Sequence, residues 1–390
     1  MAFFRNTTIN LLNLHYWIKA VAMTGGGAFF GIYLLKSGVT IPGVLTSVAL
    51  ILLGRFFIRP LIVRIAVRYG LRAMIVGGTL FGALQYPLLA EVHGVGWFLA
   101  AVIVVSSIGD TVYWTTYHAY FAALGDDEHR GQQIGVREAV VAVIGVVSPL
   151  LAGWMLIAFG PRTAFGVTMV VAMLSALPVF RIRDVKVAPH VPGAFRAALP
   201  GVALFTADGW IAAGYVFVWQ IALFTSLDRN FMAYGGALAL AALFGAAGSL
   251  TLGRHIDAGH GKRAVFLAFG TFAVIVVLRA IATGNATVAV LANALGSLGA
   301  CLYVPTLMTA VYTQAKRAPC PLRFHVATEA GWDIGGATGL LCAALLSALG
   351  APLWVGILMS LAGVAANTVM LRRYYPAGSL ASPGLTYPSA

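Results

Sequence analysis

Charge is what this sequence has least of: only 9% of its 390 residues are Asp, Glu, Lys or Arg, against 60% hydrophobic. One or two soluble cores cannot hide that much apolar surface, so lipid is the expected solvent. Cysteine is almost absent, and Cys301, Cys320 and Cys342 fit neither a disulfide framework nor metal-ligand spacing. No nucleophile elbow, phosphate loop or metal cluster occurs, so an enzyme is not expected and no cofactor is called for. The opening Met-Ala-Phe-Phe-Arg-Asn-Thr-Thr-Ile-Asn lacks the parts of a signal peptide, and the first helix is expected to remain. Alternating ten-residue segments are missing too, which excludes a strand barrel.

What is present is a succession of apolar runs of roughly 20 residues, the length that crosses about 30 Å of hydrocarbon as a helix. They fall at 14–35, 41–60, 71–90, 95–122, 134–158, 162–182, 199–224, 230–253, 263–282, 286–313, 324–349 and 351–371. The expected fold is an all-α membrane protein of twelve transmembrane helices. Lys and Arg crowd one set of loops and flanks, among them Arg5, Arg55, Arg59, Arg64, Arg68, Arg72, Arg181, Arg254, Lys316 and Arg372, whereas the opposite loops hold Lys36, Arg162 and Arg229. That bias puts both termini in the cytoplasm, in a bacterial inner membrane, and assigns the net charge of +13 to orientation rather than to nucleic acid.

Arg181 to Pro200, with mixed charge and prolines, reads as a linker between two bundles of six. The division is 1–180 for the first bundle, 181–198 for the linker, 199–375 for the second and 376–390 for a disordered cytoplasmic tail. An offset of 191 residues pairs Gly54 with Gly245, Gly70 with Gly261, Arg72 with Arg263 and Glu138 with Glu329. Two similar halves with a site between them is a transporter pattern.

Ionisable side chains inside the apolar runs are functional candidates because each is costly in hydrocarbon. His325, Glu329 and Asp333 are four apart on one helix face, where adjacent carboxylates would repel and one would hold a proton. The alternative has Glu329 pairing with a loop arginine. Asp208, before Gly209 and Trp210, and Asp110, within Ser106–Tyr117, complete the proton-coupling set of Asp110, Asp208, Glu329 and Asp333. Lys19 either snorkels to the surface or pairs with Asp208 or an anionic substrate. Arg137 and Glu138 are placed at an inner gate, pairing with the Arg64–Arg72 loop or with Asp126, Asp127 and Glu128; Arg279 is expected to snorkel.

The stretch Gly253–Arg263 resembles the loop G-x-x-x-D-R-x-G-R-R/K of the major facilitator superfamily, keeping Gly253, Asp257, Gly261, Lys262 and Arg263 with one residue inserted. A first copy keeps Arg68, Gly70 and Arg72 but has Val63 and Val67 where the glycine and aspartate belong. Arg130-Gly131 and Gly145–Gly153 are similar to two further signatures, the second being that of proton-driven antiporters, with Ser148 and Ala152 as departures. The resemblance implies two pseudo-symmetric six-helix bundles, with gating by Arg68, Arg72, Arg130, Arg137, Glu138, Asp257 and Arg263. It puts the first, fourth, seventh and tenth helices around a central cavity, and with them Asp110, Asp208, Asn293 and Tyr303. Substrate contacts are then expected from Lys19, Ser107, Tyr113, Trp114, Tyr117, Trp210, Asn293, Tyr303 and Trp332.

The function expected is a monomeric, proton-coupled secondary transporter in a lipid bilayer, exporting a small amphipathic organic compound by antiport. The alternatives are proton-linked uptake of an organic anion held by Lys19 or Arg137, and a non-transporting receptor or assembly factor on the same scaffold.

Overall fold

The structure is a computed structural model and describes residues 6–124, 130–256 and 261–374. Every regular element among them is helical. In chain order these are α1 (Thr7–Thr24), α2 (Phe30–Lys36), α3 (Ile41–Ala83), α4 (Gln85–Ala90), α5 (Trp97–Leu124), α6 (Arg130–Ala158), α7 (Gly160–Leu174), α8 (Ala194–Ala197), α9 (Leu199–Ala212), α10 (Trp219–Ser226), α11 (Phe231–Ile256), α12 (Gly261–Ile281), α13 (Ala286–Arg317), α14 (Pro321–Ala348), α15 (Leu353–Leu358) and α16 (Ser360–Tyr374). Among the described residues, ten segments are long and apolar enough to cross a membrane, and Val265–Ile281 is a shorter apolar helix. The tail 376–390 lies outside the described residues.

Side-chain chemistry starts several of these helices. Asn6 accepts from the Ile9 N–H at 3.1 Å to begin α1, and Thr40 accepts from Gly43 at 3.3 Å to begin α3, just ahead of Pro42. Glycines at 25 to 27 break the first span into α1, a 3₁₀ turn and α2. In α3 the helix path is broken at Gly70, which adopts φ 80° and ψ 169°. Only glycine takes this conformation without strain, and the Asp184 carboxylate fills the space where a Cβ would stand. Polar side chains close the same end: the Arg72 N–H donates to Asp184 at 2.9 Å, and the Tyr120 hydroxyl donates to the Arg183 carbonyl.

Helix contact relies on small residues, as expected where lipid is as apolar as the side chains. Against α9, Gly335 of α14 lies so close that an added Cβ would sit 1.9 Å from the Thr206 carbonyl, and Gly209 meets Trp332 in the same way. Large apolar side chains such as Phe57, Leu267 and Leu345 point outward, the arrangement of a protein solvated by lipid. Pro305 lies inside α13, which runs from Ala286 to Arg317 as one helix.

α3 packs chiefly on α5 and α14, and α14 packs on α9. Of these, α3, α5 and α14 contribute to the site.

Candidate functional site

A cavity of about 290 Å³ lies among α1, α3, α5, the π-helical segment Ala213–Val218 and α10, with Trp332 of α14 in its wall. Its charged lining is Lys19, Arg55 and Asp110; Gln85, Ser106 and Gln220 add neutral polar groups, and Tyr86, Trp114 and Trp332 add aromatic faces. Lys19 is buried, and its ammonium lies 4.2 Å from the centre of the Tyr113 ring. Snorkelling is thereby corrected: the side chain turns inward to an aromatic face, which stabilises a cation where water is scarce. It sits by the cavity that Asp110 lines, not beside Asp208.

Below the cavity is an ion-pair ladder between α3 and α14. Arg55 Nε is 2.9 Å from Asp333 Oδ1. Arg59 Nε lies 2.5 Å from Asp333 Oδ2, while its Nη1 lies 2.7 Å from Glu329 Oε2 and donates to Thr115 Oγ1 at 2.9 Å. Arg59 is 1% exposed and Asp333 is fully buried. Two guanidiniums and two carboxylates make the cluster neutral, which is how charge survives in a dry interior. The expected repulsion between bare Glu329 and Asp333 is therefore corrected, because each faces an arginine. Assigning Arg55 and Arg59 to a loop flank is corrected as well: α3 continues through Pro60 beyond the expected end of the run, placing both arginines inside the protein.

Further residues take other places. Ser107 turns to α3, its hydroxyl reaching the carbonyls of Ile103 at 2.7 Å and Ile51 at 3.1 Å; its neighbour Ser106 lines the cavity and donates to Gln85 at 3.0 Å. Asp208 accepts from the Trp332 indole at 3.0 Å. Trp210 donates to the Met359 carbonyl at 2.8 Å, and Asn293 brackets Trp219 and the Ala237 carbonyl at 3.0 Å each. Tyr303 is buried against Phe269 and Phe272. All three pack helices rather than line the cavity.

Toward the Gly70 end, Tyr113, Trp114 and Tyr117 form an aromatic cluster with Tyr16, His15 and His118. Arg137 closes it, donating to the Tyr117 hydroxyl at 3.1 Å, lying over the Tyr16 ring and pairing with the adjacent Glu138 at 2.6 Å. These contacts stand in place of the expected partners in the Arg64–Arg72 loop, and Asp126, Asp127 and Glu128 lie outside the described residues. Arg68 is surface-exposed over Tyr69, and Arg72 holds Asp184 by its backbone and the Ile182 carbonyl by its guanidinium. Asp257 lies outside the described residues, as do the side chains of Arg130 and Arg263. Arg279 is buried instead of snorkelling, its Nη1 donating to the Tyr215 carbonyl at 2.6 Å within the π-helical segment.

Reading the sequence missed Arg55 and Arg59 as site residues, together with Thr115 and Gln85. The available signal was the four-residue spacing of the two arginines, which matches that of Glu329 and Asp333.

A family model described as Major Facilitator Superfamily matches residues 16–319. Among solved structures, the chain is similar to the human organic anion transporter MFSD10 (TETRAN), at 15% identity and a TM-score of 0.71, with 94% of this chain and 99% of that one covered. It is also similar to a POT family transporter in complex with 5-aminolevulinic acid, at 12% identity, TM-score 0.69 and coverage of 93% and 95%. A third is FucP in the outward conformation, at 13% identity, TM-score 0.65 and coverage of 94% and 98%. No curated protein sequence gives a significant match.

Proposed function

Because the chain belongs to the Major Facilitator Superfamily, we propose that this integral membrane protein is a proton-coupled secondary transporter that takes up a small organic anion or zwitterion. The observation that carries the substrate class is the pair of cations, Lys19 and Arg55, lining one small cavity with a single carboxylate, Asp110. Neighbours at 12–15% identity share the fold and leave the substrate open.

Coupling follows from electrostatics. A proton on Asp110 removes the one negative charge lining the cavity that would repel a substrate carboxylate and leaves Lys19 in excess there, beside an Arg55 that is shared with Asp333. Proton and anion therefore favour each other's binding, the thermodynamic requirement of symport. The aromatic faces of Trp114 and Trp332 give an organic skeleton its apolar contact. Once a substrate carboxylate reaches Arg55, it competes with Asp333 for the same guanidinium and loosens the bridge between α3 and α14. Our reading includes twelve spanning helices as bundles 1–180 and 199–375 joined by 181–198, both termini cytoplasmic, moving against each other across that bridge.

The aromatic lining of Tyr86, Trp114 and Trp332 also suits export of an amphipathic compound against protons. Proteoliposomes with a trapped pH dye separate the two readings, using cationic, neutral and anionic compounds beside Lys19→Gln and Asp110→Asn. The expected result is proton entry with added carboxylates, absent in Asp110→Asn, and weakened substrate affinity in Lys19→Gln. Proton counterflow with cations while carboxylates stay inert would replace uptake by export; no flux of any compound would favour the non-transporting scaffold.

A further inference from the structure

A second cavity, of about 710 Å³, lies on the flank of the molecule and shares no lining residue with the first. It is framed by α3, residues 189–195 and the start of α14. Its ionisable lining is Arg59, Arg64, His190 and Arg323, with no Asp or Glu. The remaining wall is apolar, and its phenylalanines open outward: Phe57 is 72% exposed and Phe195 is 52% exposed.

The basic wall is built. The Arg323 Nη2 donates to the carbonyls of Ala188 at 2.8 Å and Pro189 at 3.0 Å, fastening 189–195 as one side of the groove. Arg59 is 1% exposed and uses Nε and Nη1 on the α14 carboxylates, yet its buried Nη2 has no partner among the described residues. Arg64, five residues further along α3, is exposed. A buried donor without an acceptor is costly, and a groove lined by the free Nη2 of Arg59 together with Arg64 and Arg323, with no acid in its own wall, calls for an anion. The apolar, outward-facing walls call for that anion to carry hydrocarbon.

We propose that this groove binds one anionic phospholipid, its phosphate among Arg64, Arg323 and Arg59 and an acyl chain along Phe56, Phe57 and Phe195. Basic pockets between spanning helices near a membrane surface recognise head groups in this way. The site lies against the ion-pair ladder, so the lipid phosphate shares Arg59 with Glu329 and Asp333 and the bridge depends on the lipid bound. This inference does not depend on the transported substrate.

The test is native mass spectrometry of the full chain in detergent, titrated with phosphatidylglycerol and with phosphatidylcholine of identical acyl chains, for wild type, Arg64→Gln and Arg64→Glu. One phosphatidylglycerol should be retained several-fold more tightly than phosphatidylcholine. Arg64→Gln should lower that retention by roughly fivefold and Arg64→Glu further, with inorganic phosphate failing to displace the lipid. Equal retention of the two lipids, or indifference to both variants, would overturn the proposal. Displacement by inorganic phosphate would also overturn it, marking a site for free anions.

Discussion

Asp333→Asn isolates the ladder between α3 and α14. In the wild type two positive and two negative groups neutralise one another, with Asp333 taking Arg55 at 2.9 Å and Arg59 at 2.5 Å. An asparagine keeps the shape but leaves a net positive charge; Arg59 retains Glu329, and Arg55 has lost the only ion pair it makes among the described residues. Removing one partner from a buried ion pair costs about 3–5 kcal/mol. Arg55 is 12% exposed at its side chain and can turn toward the cavity, so the lower end, about 3 kcal/mol, applies. Only the arrangement in which α3 and α14 touch bears this cost, so its population relative to a separated arrangement should fall by roughly 150-fold. Spin labels at Tyr69→Cys and Arg317→Cys, in a chain with Cys301, Cys320 and Cys342 replaced, read the separation by double electron–electron resonance. The expected result is a longer second distance in Asp333→Asn, reversed in part by Arg55→Gln/Asp333→Asn, which restores neutrality. A distance distribution unchanged in the single variant, or unmoved by the second substitution, would refute the electrostatic reasoning.

Gly335→Ala should destabilise the protein by about 1–3 kcal/mol, because its Cβ would stand 1.9 Å from the Thr206 carbonyl and force α9 and α14 apart; a lower thermal-inactivation temperature in detergent checks this. Asp184 governs a pH effect at the Gly70 end. Partial burial pushes its carboxyl up, but the N–H groups of Arg72 and Val185 at 2.9 Å and the Lys186 ammonium at 3.2 Å outweigh it and hold it below the usual carboxylate range. A depressed carboxylate contributes stability that is present above its unfolded value, about pH 4, and lost as pH falls through the folded value. Protease cutting near 182–193 should therefore rise below about pH 4 in the wild type and be less pH-dependent in Asp184→Asn, which is cut more readily at neutral pH.

The helical class was legible because hydropathy integrates over about twenty residues, and small errors at the ends do not alter it. Individual directions were not legible. Ser106 and Ser107 differ by about 100° around α5, so one enters the cavity while the other bonds back to Ile51, and no periodicity in so apolar a run separates them. Lys19 and Asp110 could be picked out because an ionisable group within an apolar run has few inexpensive places to be. Arg279 was misread for a different reason: its acceptor, the Tyr215 carbonyl, belongs to a π-helical segment with no sequence mark of its own. Arg55 and Arg59 were lost to a counting rule. Pro60 and the arginines after it looked like the end of a span, whereas a proline inside α3 left the helix running on to the break at Gly70.

The register of the ladder argues that those two arginines act together. They lie one turn apart on α3, and Glu329 and Asp333 lie one turn apart on α14. The pairing runs in opposite senses: the lower-numbered arginine meets the higher-numbered carboxylate, and Arg59 reaches both. Two helices crossing at one point could bring together one such pair; matched turns require them to lie side by side, antiparallel, over the length of the cluster. An apolar seam could hold the helices as firmly, since a buried ion pair adds little net stability over well-packed hydrophobic residues. Unlike an apolar seam, an ion ladder can be released by offering one rung another partner. Arg55 is that rung, because it alone among the four also lines the cavity. On the proposed reading, a substrate carboxylate arriving there draws on the same guanidinium that holds the two sides together, so that binding and opening become one event.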